Sequence, residues 1–169
     1  MKRKALTGIF AIAVFLVAQT AYAQAEGGMA SRSGRWNMGG GLGFTVDPDL
    51  VGAQLGVDYY ITNDISVGPL LIGAMSGNDK LWGLSGQVKY SARLADNDIV
   101  RPYGHLGIGF VNLDLDRYND GNATTKYLFP VGGGFEFELN DELTLDVNAL
   151  FIVSEVTSVG LFLGMKYLF

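Results

Sequence analysis

From Gly34 to the last residue, bulky apolar side chains recur at every second position in short blocks separated by turn-forming residues. A period of two marks a β-strand with unlike faces. In "LWGLSGQVKYSARL", Trp82, Leu84, Val88, Tyr90 and Leu94 share one face with Gly86 and Ala92. Ser85, Gln87, Lys89, Ser91 and Arg93 share the other. In "KYLFPVGGGFEFEL", Tyr127, Phe129, Val131, Phe135, Phe137 and Leu139 oppose Lys126, Gly132, Gly134, Glu136 and Glu138. Carried along the chain, the pattern predicts eight strands, over 34–46, 50–61, 65–75, 81–94, 99–113, 126–139, 143–153 and 158–169. The facing of the third and fifth strands stays open. Pro102 falls near a strand start, where it is tolerated. Pro69 and Pro130 fall mid-strand, where a ladder donor is lost, and a bulge is expected at Pro130 ahead of "VGGG".

The two faces differ in size as well as polarity. The polar face is narrow, rich in glycine and light in charge, while the apolar face is bulky and aromatic. A soluble sandwich turns its apolar face inward. Large side chains on an outer surface and small ones in a crowded interior are the arrangement a membrane imposes. There, only helices and closed barrels satisfy their backbone. Strands of about 9–11 residues cross when tilted. The fold class expected is all-β: a closed, antiparallel, eight-stranded transmembrane up-and-down barrel, its lumen filled by small and charged residues.

The links "TND", "ADND" and "ND" are short and alternate with the other four. Short turns face the periplasm in such barrels. Both termini are therefore expected there, with 113–125 as the most prominent outer loop. Aromatic residues gather near strand ends: Trp36, Tyr59, Tyr90, Phe137, Tyr167 and Phe169 on one side, Phe44, Trp82, Phe110 and Tyr127 on the other. They fit two interfacial girdles.

The chain's start has a different character. Lys2, Arg3 and Lys4 precede the apolar "ALTGIFAIAVFLVA", and "AYA" ends at Ala23. That is the form of a secretory signal, with residues 1–23 cleaved and 24–33 left as a flexible periplasmic lead-in to a 34–169 barrel. Cleavage would remove three of 12 basic residues, leaving 9 against 17 acidic ones, a net charge near −8. Such a balance argues against nucleic acid as a partner. With no cysteine in the chain, stability must come from the sheet itself.

The ending "SVGLFLGMKYLF" carries a resemblance. It is similar to the small eight-stranded outer-membrane β-barrels of Gram-negative bacteria, the OmpA-like and OmpX-like proteins, which characteristically end in phenylalanine after alternating apolar residues. The resemblance covers Gly34 to Phe169, and "RPYGHLGIGF" looks like a Pro-Tyr-glycine strand common in that family. It implies that Leu163, Met165, Tyr167 and Phe169 form a signal read by the barrel-assembly machinery. It also implies periplasmic chaperones during biogenesis, outer-membrane lipids and lipopolysaccharide as surroundings, a monomer, and no cofactor.

Eight inward-facing charges are expected in the periplasmic half: Arg35, Asp58, Lys89, Arg93, Glu136, Glu138, Asp146 and Lys166. Their mixed signs predict a network of ion pairs plugging a lumen only wide enough for its own side chains. A proton or ion path, or a narrow solute pore, is the functional alternative. A lipid A-modifying enzyme is the other. It would need a serine within reach of an oriented histidine. The only histidine is His105, mid-strand, with no serine nearby in sequence. Ser154 and Glu155 lie at the outer rim, about half a strand away. Asp114, Asp116 and Asp120 cluster in one loop without calcium-loop spacing and read as solvated. No catalytic, cofactor or metal residue is assigned. The role expected is structural or interactive, in the envelope or at the surface.

Overall fold

The computed structural model describes residues 31–46, 49–94, 99–114, 124–154 and 157–169. The expected signal peptide, most of the lead-in, most of the 113–125 loop with Asp116 and Asp120, and Glu155 lie outside the described residues. Eight strands are formed: β1 Trp36–Val46, β2 Leu50–Tyr60, β3 Ile65–Ser76, β4 Asp79–Ser91, β5 Val100–Asp114, β6 Thr124–Glu138, β7 Leu143–Val153 and β8 Ser158–Leu168. Each pairs antiparallel with its neighbour, and β8 returns to β1 to close the sheet. Closure removes every free edge, so each strand has a ladder on both sides. At the seam Trp36 and Phe169 exchange backbone hydrogen bonds of 3.0 and 2.8 Å.

The register fixes the barrel's shape. One circuit of paired residues runs Trp36, Tyr59, Val67, Val88, Leu106, Val131, Phe151, Val159 and returns to β1 at Val46, ten residues above its start. That stagger tilts the strands by roughly 40° and leaves an interior that side chains can fill. The residues on this circuit face outward, as the alternation requires. The third strand turns Pro69, Leu71 and Met75 outward and Leu70, Ile72 and Ala74 inward. The fifth turns Leu106, Ile108 and Phe110 outward and Arg101, His105, Val111 and Leu113 inward.

The bulge expected at Pro130 does not form. The pairs Leu106↔Val131 and Gly109↔Leu128 have the same offset on either side of it, so no residue has been inserted. Pro69 behaves likewise, between Gly56↔Leu70 and Tyr59↔Val67. In both places the ladder skips the proline and resumes in register.

The lumen also departs from expectation. Among the described residues the buried charge network occupies the half nearest the chain termini. The far half holds an apolar cluster that includes Leu50, Leu70, Ile72, Leu128, Leu150 and Phe162. The physical reason is volume. Inward glycines remove side chains from the wall, and branched and aromatic groups occupy the space they leave. Phe162 shows it best. A Cβ at Gly43 would lie 2.7 Å from its ring and one at Gly160 2.4 Å from it, so only glycine admits the ring there.

On the outside, the aromatic residues pair within each expected girdle. Trp36 meets Tyr59 at 5.0 Å and Tyr167 stacks on Phe169 at 6.4 Å near the termini. Trp82 meets Phe110 edge-on at 5.8 Å at the far end. Such pairs add to the fit of rings at headgroup depth.

Candidate functional site

The termini-end half of the lumen is built around Glu136, which β6 points inward and buries completely. Its Oε1 accepts hydrogen bonds from Lys89 Nζ and Lys166 Nζ, both at 3.1 Å, and its Oε2 accepts one from Arg32 at 2.7 Å. Lys89 also donates to Asp58 at 2.7 Å, and Lys166 to Asp146 at 2.9 Å. Arg101 and Arg32 both meet Glu138. The strands involved, β2, β4, β5, β6, β7 and β8, span the barrel wall, so these pairs cross the lumen as struts.

Of the eight predicted charges, the structure brings together Asp58, Lys89, Glu136, Glu138, Asp146 and Lys166. Arg35 and Arg93 stand apart. Arg35 lies just before β1 and donates to the Leu168 carbonyl at 3.2 Å. Arg93 lies beyond the end of β4, is 48 % exposed, and faces Asp64 at 3.5 Å. Alternation gave both the right parity, but parity has no meaning once the strand has ended.

Sequence reasoning missed Arg32 and Arg101. The buried cations Arg32, Lys89, Arg101 and Lys166 balance the carboxylates Asp58, Glu136, Glu138 and Asp146 one for one. Balance of this kind is what makes such burial tolerable, because an unpaired charge in a narrow lumen costs several kcal/mol, about 3–5 when one partner is removed. Tyr60 and Tyr103 were missed too. Their rings face the same cations, with Lys166 Nζ 4.7 Å from the Tyr103 centroid and Arg32 5.3 Å from that of Tyr60. The parity of β2 already put Tyr60 beside Asp58. Arg101 and Tyr103 became legible only when the facing of β5 was known. Burial alone would weaken the charge on Arg32, but Glu136, Tyr60 and Glu138 more than offset it and hold the guanidinium charged above its ordinary range.

His105 sits where the charged half ends. Its Nδ1 lies 2.8 Å from Gln87 Oε1, and Gln87 Nε2 donates to Asp58 Oδ1 at 3.2 Å. The paired carboxylate of Asp58 can only accept, which fixes the amide orientation and makes Nδ1 the donor to Gln87 Oε1. On the other side, a Cβ at Gly132 would lie 2.4 Å from Nε2. The ring is thus held edge-on between an amide and a bare stretch of backbone, and no serine hydroxyl is hydrogen-bonded to it among the described residues. Ser154 is described at the far rim, at the end of β7, and Asp114 ends β5.

A cavity of about 40 Å³ lies beside His105, lined by Asp58, Lys89, Tyr103, Asp146, Lys166 and neighbouring glycines. That is room for about two or three waters. Nearer the termini, the hydroxyls of Ser66 and Ser91 are buried without a hydrogen-bond partner among the described residues. No group of three or more metal-ligating side chains is found among the described residues. Chemically, every carboxylate in the cluster is already committed to a cation.

Comparison with known proteins gives the family. Residues 9–156 match the outer membrane protein beta-barrel domain. The chain belongs to that family. A search of curated proteins finds no match. Among solved structures, the N-terminal β-barrel domain of Pseudomonas aeruginosa OprF superposes with a TM-score of 0.65 at 15 % identity, over 83 % of this chain and 100 % of that one. Ail, the attachment invasion locus protein of Yersinia pestis, gives 0.56 at 18 % identity, over 80 % and 97 %. Neisserial surface protein A gives 0.57 at 16 % identity, over 80 % and 97 %. At these identities the likeness is one of fold. The family match, together with the bulky apolar face turned outward, makes this chain an outer-membrane β-barrel.

Proposed function

We propose that this outer-membrane barrel is a sealed, non-catalytic structural element of the envelope, with both termini in the periplasm and its far-end loops offered at the surface. The observation that carries the reading is the double filling of the lumen. An apolar cluster occupies one half, and a charge-balanced network spans the other. A conducting pore needs a continuous polar path, and the apolar half interrupts it. A catalytic site needs an accessible nucleophile and base, and His105 is wedged between Gln87 and Gly132.

The finer assignments rest on the same reading. An OmpA-like or OmpX-like relationship and cleavage after Ala23 are supported by the sequence pattern, and a monomeric state is part of the same proposal. Leu163, Met165 and Tyr167 share the outward face of β8, and the exposed Phe169 follows it at the closing seam. That position suits an assembly signal, since the machinery must reach the last strand before the barrel closes. The surroundings are outer-membrane lipid and lipopolysaccharide, and no cofactor is required. Surface contact, the role that the name of Ail implies for that protein, is a natural use for loops on a rigid barrel.

The decisive experiment is electrical. Reconstituted in planar bilayers, the barrel shows no steady conductance. A reproducible open channel, abolished by Lys89→Ala or Glu136→Gln, would overturn the seal.

A further inference from the structure

Arg32 precedes the barrel wall in sequence, yet its side chain ends inside the lumen, only 3 % exposed. Its Nη1 donates to Tyr60 Oη at 2.8 Å and to Glu136 at 2.7 Å. Tyr60 belongs to β2 and Glu136 to β6, on opposite walls, so the guanidinium crosses the mouth. The backbone around it is tied down as well. The amides of Arg32 and Ser33 both donate to Asn63 Oδ1, at 2.9 and 3.1 Å, and Ser31 Oγ lies 3.0 Å from the same oxygen. Gly34 turns the chain back toward β1 with φ of 80°, a conformation that favours glycine.

Two features set Arg32 apart from the other buried cations. Lys89, Arg101 and Lys166 are carried by strands laddered on both sides, whereas Arg32 hangs on a short segment held along one side, by Asn63 Oδ1, by the Ile61 carbonyl at 3.3 Å from Ser33 Oγ, and by the Tyr60 carbonyl at 2.9 Å from Gly34 N. Without it, three cations face four carboxylates, Asp58, Glu136, Glu138 and Asp146. The wall alone therefore leaves the network one positive charge short, and a residue from outside the wall supplies it.

We propose that Ser31–Gly34 is a removable strap. With Arg32 seated, it closes the termini-end mouth. With Arg32 withdrawn, it exposes a hydrophilic vestibule with an excess negative charge, which admits small cations and ends blindly at the apolar cluster. The proposal rests on the sealed-lumen reading and adds that the seal has two locks of different kinds, of which only the lower one can open without unfolding the sheet.

The chain contains no cysteine, so a single introduced thiol is a clean reporter. Ser66→Cys places one beside Tyr60, at a buried hydroxyl that makes no hydrogen bond among the described residues. Ala74→Cys places one within the apolar cluster. Both are made with Arg32 intact, with Arg32→Ala, and with Asn63→Ala, which removes the side-chain acceptor shared by Ser31, Arg32 and Ser33 and keeps the strap's charge. Heat-modifiable migration in detergent electrophoresis verifies that each barrel is folded. A water-soluble cationic thiosulfonate should label the Ser66→Cys barrel about tenfold faster when Arg32→Ala is added, with Asn63→Ala giving an intermediate rate. It should outpace an anionic reagent of the same size. The thiol of Ala74→Cys should stay protected in all three backgrounds. Labelling of Ser66→Cys that neither strap substitution changes overturns the strap and leaves the sealed lumen standing. Rapid labelling of Ala74→Cys with Arg32 intact overturns the sealed lumen, and the strap with it.

Discussion

The two halves of the lumen obey one alternation and are held by opposite physics. In the far half, Leu50, Ile72, Leu150 and Phe162 fill space, and each contact is non-directional. In the termini-end half, Lys89, Lys166 and Arg32 converge on the single carboxylate of Glu136, and each contact has a direction and a sign. An apolar filling fails gradually, by the volume removed. A charged filling fails as a unit, because every member depends on partners that water cannot replace. The lesson for a barrel this narrow is that closing a pore and satisfying buried groups can be handled separately along one axis.

The sharpest way to break the comparison is Glu136→Gln. The shape is kept, but three cations lose their common counter-charge. The expected loss is about 3–5 kcal/mol, the range for a buried pair with one partner removed. Urea unfolding in phospholipid vesicles, followed by the fluorescence of Trp36 and Trp82, reads it directly. A loss below about 1 kcal/mol would mean that water or lipid headgroups already solvate the network, and that the two halves do not differ in kind.

Next in size is Phe162. Truncation to alanine empties the space between Gly43 and Gly160 and should cost about 3 kcal/mol, near the lower end for a buried phenylalanine. Phe162→Leu keeps most of the volume and should cost less than about 1.5 kcal/mol. That tolerance sharpens the contrast, since the equally shape-conserving Glu136→Gln is not tolerated. If leucine proved as damaging as alanine under the same urea titration, the far half would depend on the ring itself. The apolar filling would then be as specific as the charged one.

Much of this was legible in the sequence. Alternation around Trp82, Phe135 and Leu161 gave strand number, facing and the outward bulk, because a sheet with one lipid face enforces period two along most strands. Six of the eight inward charges followed from the same parity. What failed did so for identifiable reasons. Leu70, Ile72, Val111 and Leu113 are apolar on the inward face of strands whose outward face is also apolar, so period two carries no sign there. Phe162 stands between Leu161 and Leu163, both apolar, and nothing local says that distant Gly43 makes room for it. Pro130 suggested a bulge, yet a closed barrel fixes each strand from both sides and tolerates a missing hydrogen bond more readily than a changed register. Arg32 lay in a segment without periodicity, and its role depends on Asn63 and Glu136, which are far away in sequence.

The smallest effect is expected at Arg93. By parity it belongs with Lys89, and the sequence placed both in the lumen. β4, however, ends at Ser91, and Arg93 faces Asp64 across 3.5 Å with nearly half of its surface exposed. An exposed pair gains little Coulomb energy and is screened by salt. Arg93→Ala should therefore change unfolding stability by less than about 0.5 kcal/mol, and by less still at high ionic strength. The test is useful because it probes where the charged half stops. If the loss approached that of Glu136→Gln, the charged cluster would extend past the strand ends. The boundary of the lumen would then be set by the turns, with the laddered wall as only part of it.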